Sequence, residues 1–175
     1  ELSKDGFSIY LGDMESLGFL REAVANWIAL MGWSYDDHTE FFTMQDLIEK
    51  FSLERLNPAP AAINFAKLDH FNQLHIRHLP QFELAQRVKP FLEKAGYTVE
   101  NGKLQKVIPI IRERLVGLDD APEKAVFFFR EEITPTLEDL KSSKMDTSEA
   151  IIVLKRALAI LETLPEITPD LTEPQ

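Results

Sequence analysis

Apolar side chains in this chain recur at three- and four-residue steps, and they never alternate for more than a few residues. That period belongs to helices packed on one face and leaves little room for sheet. In GFLREAVANWIALMGW, Leu20, Val24, Trp27, Ile28 and Met31 make one stripe. Gly32 comes directly after it and is predicted to close the helix with a left-handed residue. Thr43, with Asp46 three residues on, resembles a capping box that opens MQDLIEKF. Pro58 and Pro60 forbid helix in NPAPAAINF, and Asn64 can cap the next helix. The stripe of that helix is Phe65, Leu68, Phe71 and Leu74, and Pro80 stops it.

Beyond Pro80 the helical segments continue. QFELAQRVKPFLEKAG ends at Gly96, and its Pro90 is predicted to kink or split it. LQKVIPIIRERL comes next, then APEKAVFFFREE with Pro122 in a first-turn position, then a short TLEDLKSS. In DTSEAIIVLKRALAILETL, Ile151, Leu154, Leu158, Leu161 and Leu164 form a stripe predicted to be core. PEITPDLTEPQ, with three prolines and no period, reads as a frayed tail. YTVENGKLQ is the one candidate hairpin. The predicted class is all-α, in two helical subdomains meeting near residues 76–82.

A length of 175 residues suits one ordinary domain or two small ones. The absence of cysteine excludes disulfides and thiolate zinc sites. No run approaches the ~18 apolar residues of a membrane span, and ELSKDG carries no signal peptide pattern, so a cytoplasmic protein is expected. The net charge of −10 argues against phosphate binding until its distribution is seen. Residues 1–76 carry −7, residues 77–130 carry +3, and residues 131–175 carry −6.

No phosphate loop, nucleophile elbow or H-E-x-x-H is present. His70, His75 and His78 come nearest to a metal set, but His70 lies well around the helix from His75, so ordinary histidines are expected. The acids Asp36/Asp37 and Glu131/Glu132 are adjacent in sequence, which on a helix points them apart, so they read as solvated rather than as a general acid–base pair. The chain does not read as a self-sufficient enzyme. Two features point elsewhere. The middle segment gathers Arg87, Lys89, Lys94, Lys103, Lys106, Arg112 and Arg114, of types that hold phosphates and, for arginine, read base edges. Phe127, Phe128 and Phe129 are either a base-stacking platform or, at helical spacing, core.

Several segments together resemble the C-terminal half of bacterial-type glutamyl-tRNA synthetases, class I aminoacyl-tRNA ligases. LGFLREAVANWIALMGWS is similar to that family's LGYLPEALLNYLALLGWS. FFTMQDLIEKFSLERLNPAPAAINFAKLDHFNQLHIR matches the segment after it, at Phe51, Leu53, Arg55, Pro60, Lys67, Leu68, Asn72, Ile76 and Arg77. LAQRVKPFLEKAGY and IIRERLVGLDDAPEKAVFFF resemble the first part of the anticodon-binding region. LSK at 2–4 resembles the ATP signature loop, with Lys4 as its charge-stabilising lysine, but Glu1 and Asp5 depart from the pattern.

The resemblance implies an all-α chain: a helical stem-contact region with the end of the signature loop over 1–78, then a helical anticodon-binding bundle over 79–175, truncated at its C-terminus. Trp33 becomes a packing anchor in the stem-contact region. The implied partner is tRNA, with no DNA and no membrane, and the protein is expected to be a monomer. Implied tRNA-binding residues are Arg77, Arg87, Lys89, Lys106, Arg112 and Arg114. Arg114 aligns best with an arginine that contacts the end of the anticodon, and Arg112 next best. Glutamate activation with ATP and Mg belongs to a Rossmann domain of the full-length parent; this stretch is expected to hold no cofactor and to be inactive alone. The competing expectation is a helical protein-interaction module.

Overall fold

The computed structural model describes residues 10–58, 63–130 and 134–165, and these form nine α-helices and no strand. They are α1 (Leu11–Ser16), α2 (Arg21–Ala29), α3 (Met44–Lys50), α4 (Phe65–His78), α5 (Gln81–Lys94), α6 (Asn101–Ile111), α7 (Ala121–Phe129), α8 (Leu137–Leu140) and α9 (Thr147–Leu161). The chain divides into two compact units, Glu1–Glu131 and Glu132–Gln175. Lys4 and the signature-loop resemblance, Pro60, Glu131 and Glu132, and most of the C-terminal tail lie outside the described residues.

The caps explain where helices begin. Thr43 accepts from the Asp46 amide while the Asp46 carboxylate accepts from the Thr43 amide, so the predicted box closes at the start of α3. Asn64 caps α4 by accepting from Lys67 N at 3.1 Å. Gly96, at φ +92°, ends α5 in the left-handed region. Gly32 does not play that part, because among the described residues only Gly18 and Gly96 have positive φ. The helix stops earlier, at Ala29, and the Trp33 amide reaches back to the Ala29 carbonyl at 3.0 Å. Burial of Trp33 enforces the stop: it is 3% exposed, packs edge-on to Phe42 at 5.3 Å, and pairs by backbone with Leu56.

Two other expectations give way. The candidate hairpin is absent: Asn101 and Gly102 open α6, because Leu104, Val107, Ile108 and Ile111 bury as a helical stripe that outweighs the turn signal of Asn-Gly. Of the two effects expected of Pro90, the split does not occur, and α5 runs continuously from Gln81 to Lys94. The intrahelical bond that proline forfeits would fall on the carbonyl of Gln86, an exposed residue, where water can satisfy it.

The first unit is built on three apolar clusters. The largest joins Leu20, Ala23 and Ile76 to residues of α5, α6 and α7, among them Leu84, Val88, Leu92, Leu104, Ile108 and Ala125. It therefore draws on both sides of the boundary expected at 78/79. The second gathers Met14, Val24, Trp27, Leu68 and Phe71, and the third Trp33, Phe42 and Leu47. Ile28, placed on the α2 stripe by its spacing, faces outward at 49% exposure. Phe128 and Phe129 pack against the large cluster while Phe127 is exposed, so the FFF run is divided between core and surface.

Buried amides lock the loops of this unit to its helices. Asn72 on α4 accepts from Leu20 N at 2.8 Å and donates to the carbonyls of Gly18 at 3.3 Å and Val116 at 2.7 Å. Leu118 N donates to the Gly18 carbonyl at 3.0 Å. A Cβ at Gly18, φ +86°, would lie 2.5 Å from Asp119 Oδ1 and 2.6 Å from Asp119 N, so only glycine fits there. Asn26 works similarly, accepting from Phe42 N at 2.9 Å and donating to the Glu40 carbonyl at 3.0 Å.

In the second unit Asp146 and Glu149 form a capping box at the start of α9. The stripe predicted as core is not core here. Leu154, Leu158 and Leu161 are 40%, 57% and 40% exposed, and Ala150 is the one buried residue of the helix. The helical period holds, but among the described residues no second layer covers it.

Candidate nucleic-acid interface

The positively charged middle of the sequence becomes α5, α6 and the 3-10 turn Arg112–Arg114 that continues α6. Burying Leu84, Ala85, Val88 and Leu92 on α5 and Leu104, Val107, Ile108 and Ile111 on α6 turns the intervening polar residues outward. The six residues predicted to meet RNA then sort by what else holds them.

Arg87 is committed within the protein. Its Nη1 donates to Glu22 Oε2 at 2.9 Å and its Nη2 to Glu22 Oε1 at 2.8 Å, with a third contact to Glu83 at 2.5 Å. This pairing holds the Glu22 carboxyl at about 2, well below its usual value, chiefly through the guanidinium hydrogen bonds and against the opposing effect of burial. Arg77 is also occupied: Nε lies 2.8 Å from Glu113 Oε2, at an angle poor for a hydrogen bond, and Nη2 donates to the Glu113 carbonyl at 3.2 Å. Lys89 donates to Asn101 Oδ1 at 3.0 Å and sits 3.7 Å from Glu93.

Lys106, Arg112 and Arg114 differ. Lys106 and Arg114 are exposed and have no acidic partner among the described residues. Lys124, nearby, is held protonated chiefly by its hydrogen bond to Glu123, with Arg114 a minor opposing charge. Arg112 is half-buried, and its Nε and Nη2 are shielded from solvent with no hydrogen-bond partner. The three cations lie along the C-terminal half of α6 and the turn that continues it, a disposition suited to phosphate and base-edge contacts.

No group of histidine and acidic side chains among the described residues can hold a metal ion. His75 is buried with Nε2 3.2 Å from Asn26 Oδ1, His78 bonds the Leu74 carbonyl through Nδ1 at 2.8 Å, and both rings pack on Phe41. Burial lowers the His75 pKa to about 4, so its ring is neutral near pH 7. His70 is exposed and apart from them. Asp36 folds back on its own loop, accepting from His38 N at 2.8 Å and Thr39 N at 2.5 Å. A cleft of about 590 Å³ lies beside α1, with Phe19, Arg21, Arg87 and Phe91 in its walls.

Sequence reasoning missed one feature. A cleft of about 460 Å³ between α5 and α6 is lined by Phe82, Gln86, Lys89, Asn101 and Gln105 among others. Phe82 lies two residues before Leu84, off the buried stripe, and is 65% exposed. An aromatic on the wrong face of an amphipathic helix was the available signal. No helix of the described residues is long and apolar enough to cross a membrane.

Two protein families match the chain. The one described as "Anticodon binding domain" matches residues 83–174. A second, "tRNA synthetases class I (E and Q), catalytic domain", matches residues 1–70. A glutamate–tRNA ligase of Herpetosiphon aurantiacus is 38% identical over 173 residues, covering 94% of this chain and 34% of that protein. One from Borreliella burgdorferi is 37% identical over 168 residues, covering 93% of this chain and 34% of that protein. The chain thus spans about a third of the length of these curated relatives. Among solved structures, a glutamate tRNA ligase from Elizabethkingia meningosepticum aligns with a TM-score of 0.67 at 24% identity, over 85% of this chain and 29% of that one. The glutamate–tRNA synthetase of Elizabethkingia anophelis aligns at 0.61 and 25% identity, over 81% and 32%.

Proposed function

Because the chain belongs to the anticodon binding domain family of tRNA synthetases, we propose that it is the stem-contact and anticodon-binding portion of a cytoplasmic glutamate–tRNA ligase. The observation that carries this reading is the partition of cations within the matched segment. Arg77, Arg87 and Lys89 are spent on internal carboxylates and an amide, whereas Lys106, Arg112 and Arg114 stand without acidic partners toward one end of α6. We assign Arg114 to a base edge of the anticodon, since a guanidinium offers a planar fork of donors, and Lys106 to phosphate. Arg112 supports Arg114 in the same turn.

Two regions would divide the tRNA between them, with the portion up to residue 78 meeting the stem and the portion from 79 on meeting the anticodon loop. Attachment of glutamate, with ATP and its Mg, would be carried out by the remainder of such a ligase. Among the described residues there is no donor set that fits the metal, and no chemical step is assigned to them. The purified chain should therefore show no glutamate-dependent pyrophosphate exchange.

The test is a pair of substitutions read on two RNAs across a salt series. Arg114→Ala should weaken binding to glutamate tRNA by about 1–3 kcal/mol and erase preference over an anticodon-swapped tRNA. Lys106→Ala should weaken both alike and lower the slope of affinity against salt by about 1. Equal losses on both RNAs for Arg114→Ala would remove its reading role. Indifference to tRNA at every salt concentration would favour the protein-interaction alternative.

A further inference from the structure

We propose that the cleft between α5 and α6 is a seat for a second nucleobase of the same RNA, with Phe82 as its stacking surface. This rests on the tRNA-binding reading above and extends it to a part of the surface which that reading does not use. Phe82 presents 65% of its surface to solvent and has no aromatic partner among the described residues. An aromatic exposed on a cleft wall, on a helix that buries Leu84, Val88 and Leu92, offers a π-face for stacking.

The remaining walls have the chemistry of a base edge. Gln86 has no hydrogen-bond partner among the described residues, and Gln105 contributes only its Oε1, a weak acceptor for Gln81 at 3.4 Å, so its amide nitrogen is unused. Each carboxamide donates and accepts, which is what a Watson–Crick edge requires. No carboxylate lines the cleft, and Lys89 at its rim is already held by Asn101 and Glu93, so the carboxamides carry the polar contacts. A volume of about 460 Å³ lies within the range of about 300–1,000 Å³ usual for small organic groups.

The position fits a strand already held at Arg114. Asn101 and Gln105 share a side of α6, one turn apart, and Arg112 lies two turns further along it. The rise from Asn101 to Arg112 is about 16 Å at about 1.5 Å per residue, a distance that a few unstacked nucleotides cover. Lys106, one turn beyond the cleft residue Gly102, sits along the path as a phosphate contact. An anticodon loop lying along α6 would thus be read at one end by the Arg112–Arg114 turn and gripped at the other by Phe82.

The experiment uses the full 175-residue chain and an RNA hairpin carrying a glutamate anticodon loop, with 2-aminopurine placed at each loop position in turn. Phe82→Leu, which keeps an apolar side chain but loses the ring face, should weaken hairpin binding roughly five- to a hundredfold. It should also abolish the fluorescence quenching at one loop position while leaving the others quenched. Phe82→Trp should restore both affinity and quenching. Because Phe82 is exposed, these variants fold, and an unchanged melting temperature checks this. If Arg114→Ala weakens binding while Phe82→Leu changes neither affinity nor quenching, the seat is refuted and the anticodon reading stands. If the hairpin is not bound at all, both fall.

Discussion

Arg87 grips Glu22 with two parallel hydrogen bonds of 2.8 and 2.9 Å, tying α5 to α2 across 65 residues of sequence. Arg87→Ala should destabilise the chain by about 1–3 kcal/mol, because it strands a partly buried carboxylate. Glu22→Gln should cost a similar amount, and the double variant little more than either alone. The pair also sets an acid limit. Glu22 titrates near 2 when folded against an ordinary 4.5, so its contribution is complete above about 4.5 and is lost as pH falls toward 2. Urea unfolding of the wild type and Glu22→Gln on both sides of that window checks it: the difference between them should shrink in acid.

His75 should make the first unit sensitive to milder acid. Its folded pKa is lowered to about 4 by burial, with His78 adding in the same direction and Glu22 opposing. The unfolded chain therefore takes up a proton between about 6.5 and 4 that the folded chain refuses, and stability falls as pH drops through that range. His75→Gln, which can still donate to Asn26 Oδ1, should flatten this part of the curve. A wild-type midpoint that stays constant from pH 7 to 5 would contradict the buried, neutral ring.

Trp27→Ala and Leu154→Ala separate packed stripe from bare stripe. Trp27 is 6% exposed and its Nε1 donates to the Asn64 carbonyl at 3.1 Å, so truncation should cost about 3–5 kcal/mol. Leu154, 40% exposed, should cost within about 0.5 kcal/mol in this chain. Chemical denaturation of both variants, compared with wild type, measures the contrast.

Gly18→Ala should cost about 1–3 kcal/mol from backbone strain alone, plus the displacement of Asp119. Asn72→Ala should match or exceed it, since it leaves the buried Leu20 amide and the Val116 carbonyl unpaired and takes one of two donors from the Gly18 carbonyl. Both variants should lower the thermal midpoint while leaving helical circular dichroism at low temperature intact.

Most helices and the caps at Thr43 and Asn64 were legible in the sequence because they depend on neighbours: Thr43 and Asp46, and the stripe Phe65, Leu68, Phe71 and Leu74, are local facts. What escaped was set by distant partners. Gly32 and Gly18 are both followed by an aromatic residue, yet only Gly18 is left-handed, and its close approach to Asp119, 101 residues on, is not visible locally. Spacing gave Leu154 and Trp27 equal claims to a core, but a stripe carries no information about whether another layer covers it. Charge drew attention to Arg87, yet nothing near it in sequence reveals Glu22 as its partner.

The bond from Leu118 N to the Gly18 carbonyl spans 100 residues, and Leu20 and Ala23 sit in the same cluster as residues of α7. During synthesis the opening helices therefore leave the ribosome with part of their final packing surface still untranslated. Contacts of such separation carry a loop-closure cost that is repaid only once both ends exist. The opening segment must consequently wait, partly exposed, until the turn after α6 has emerged, and a chaperone acting on the nascent chain would find its binding window there.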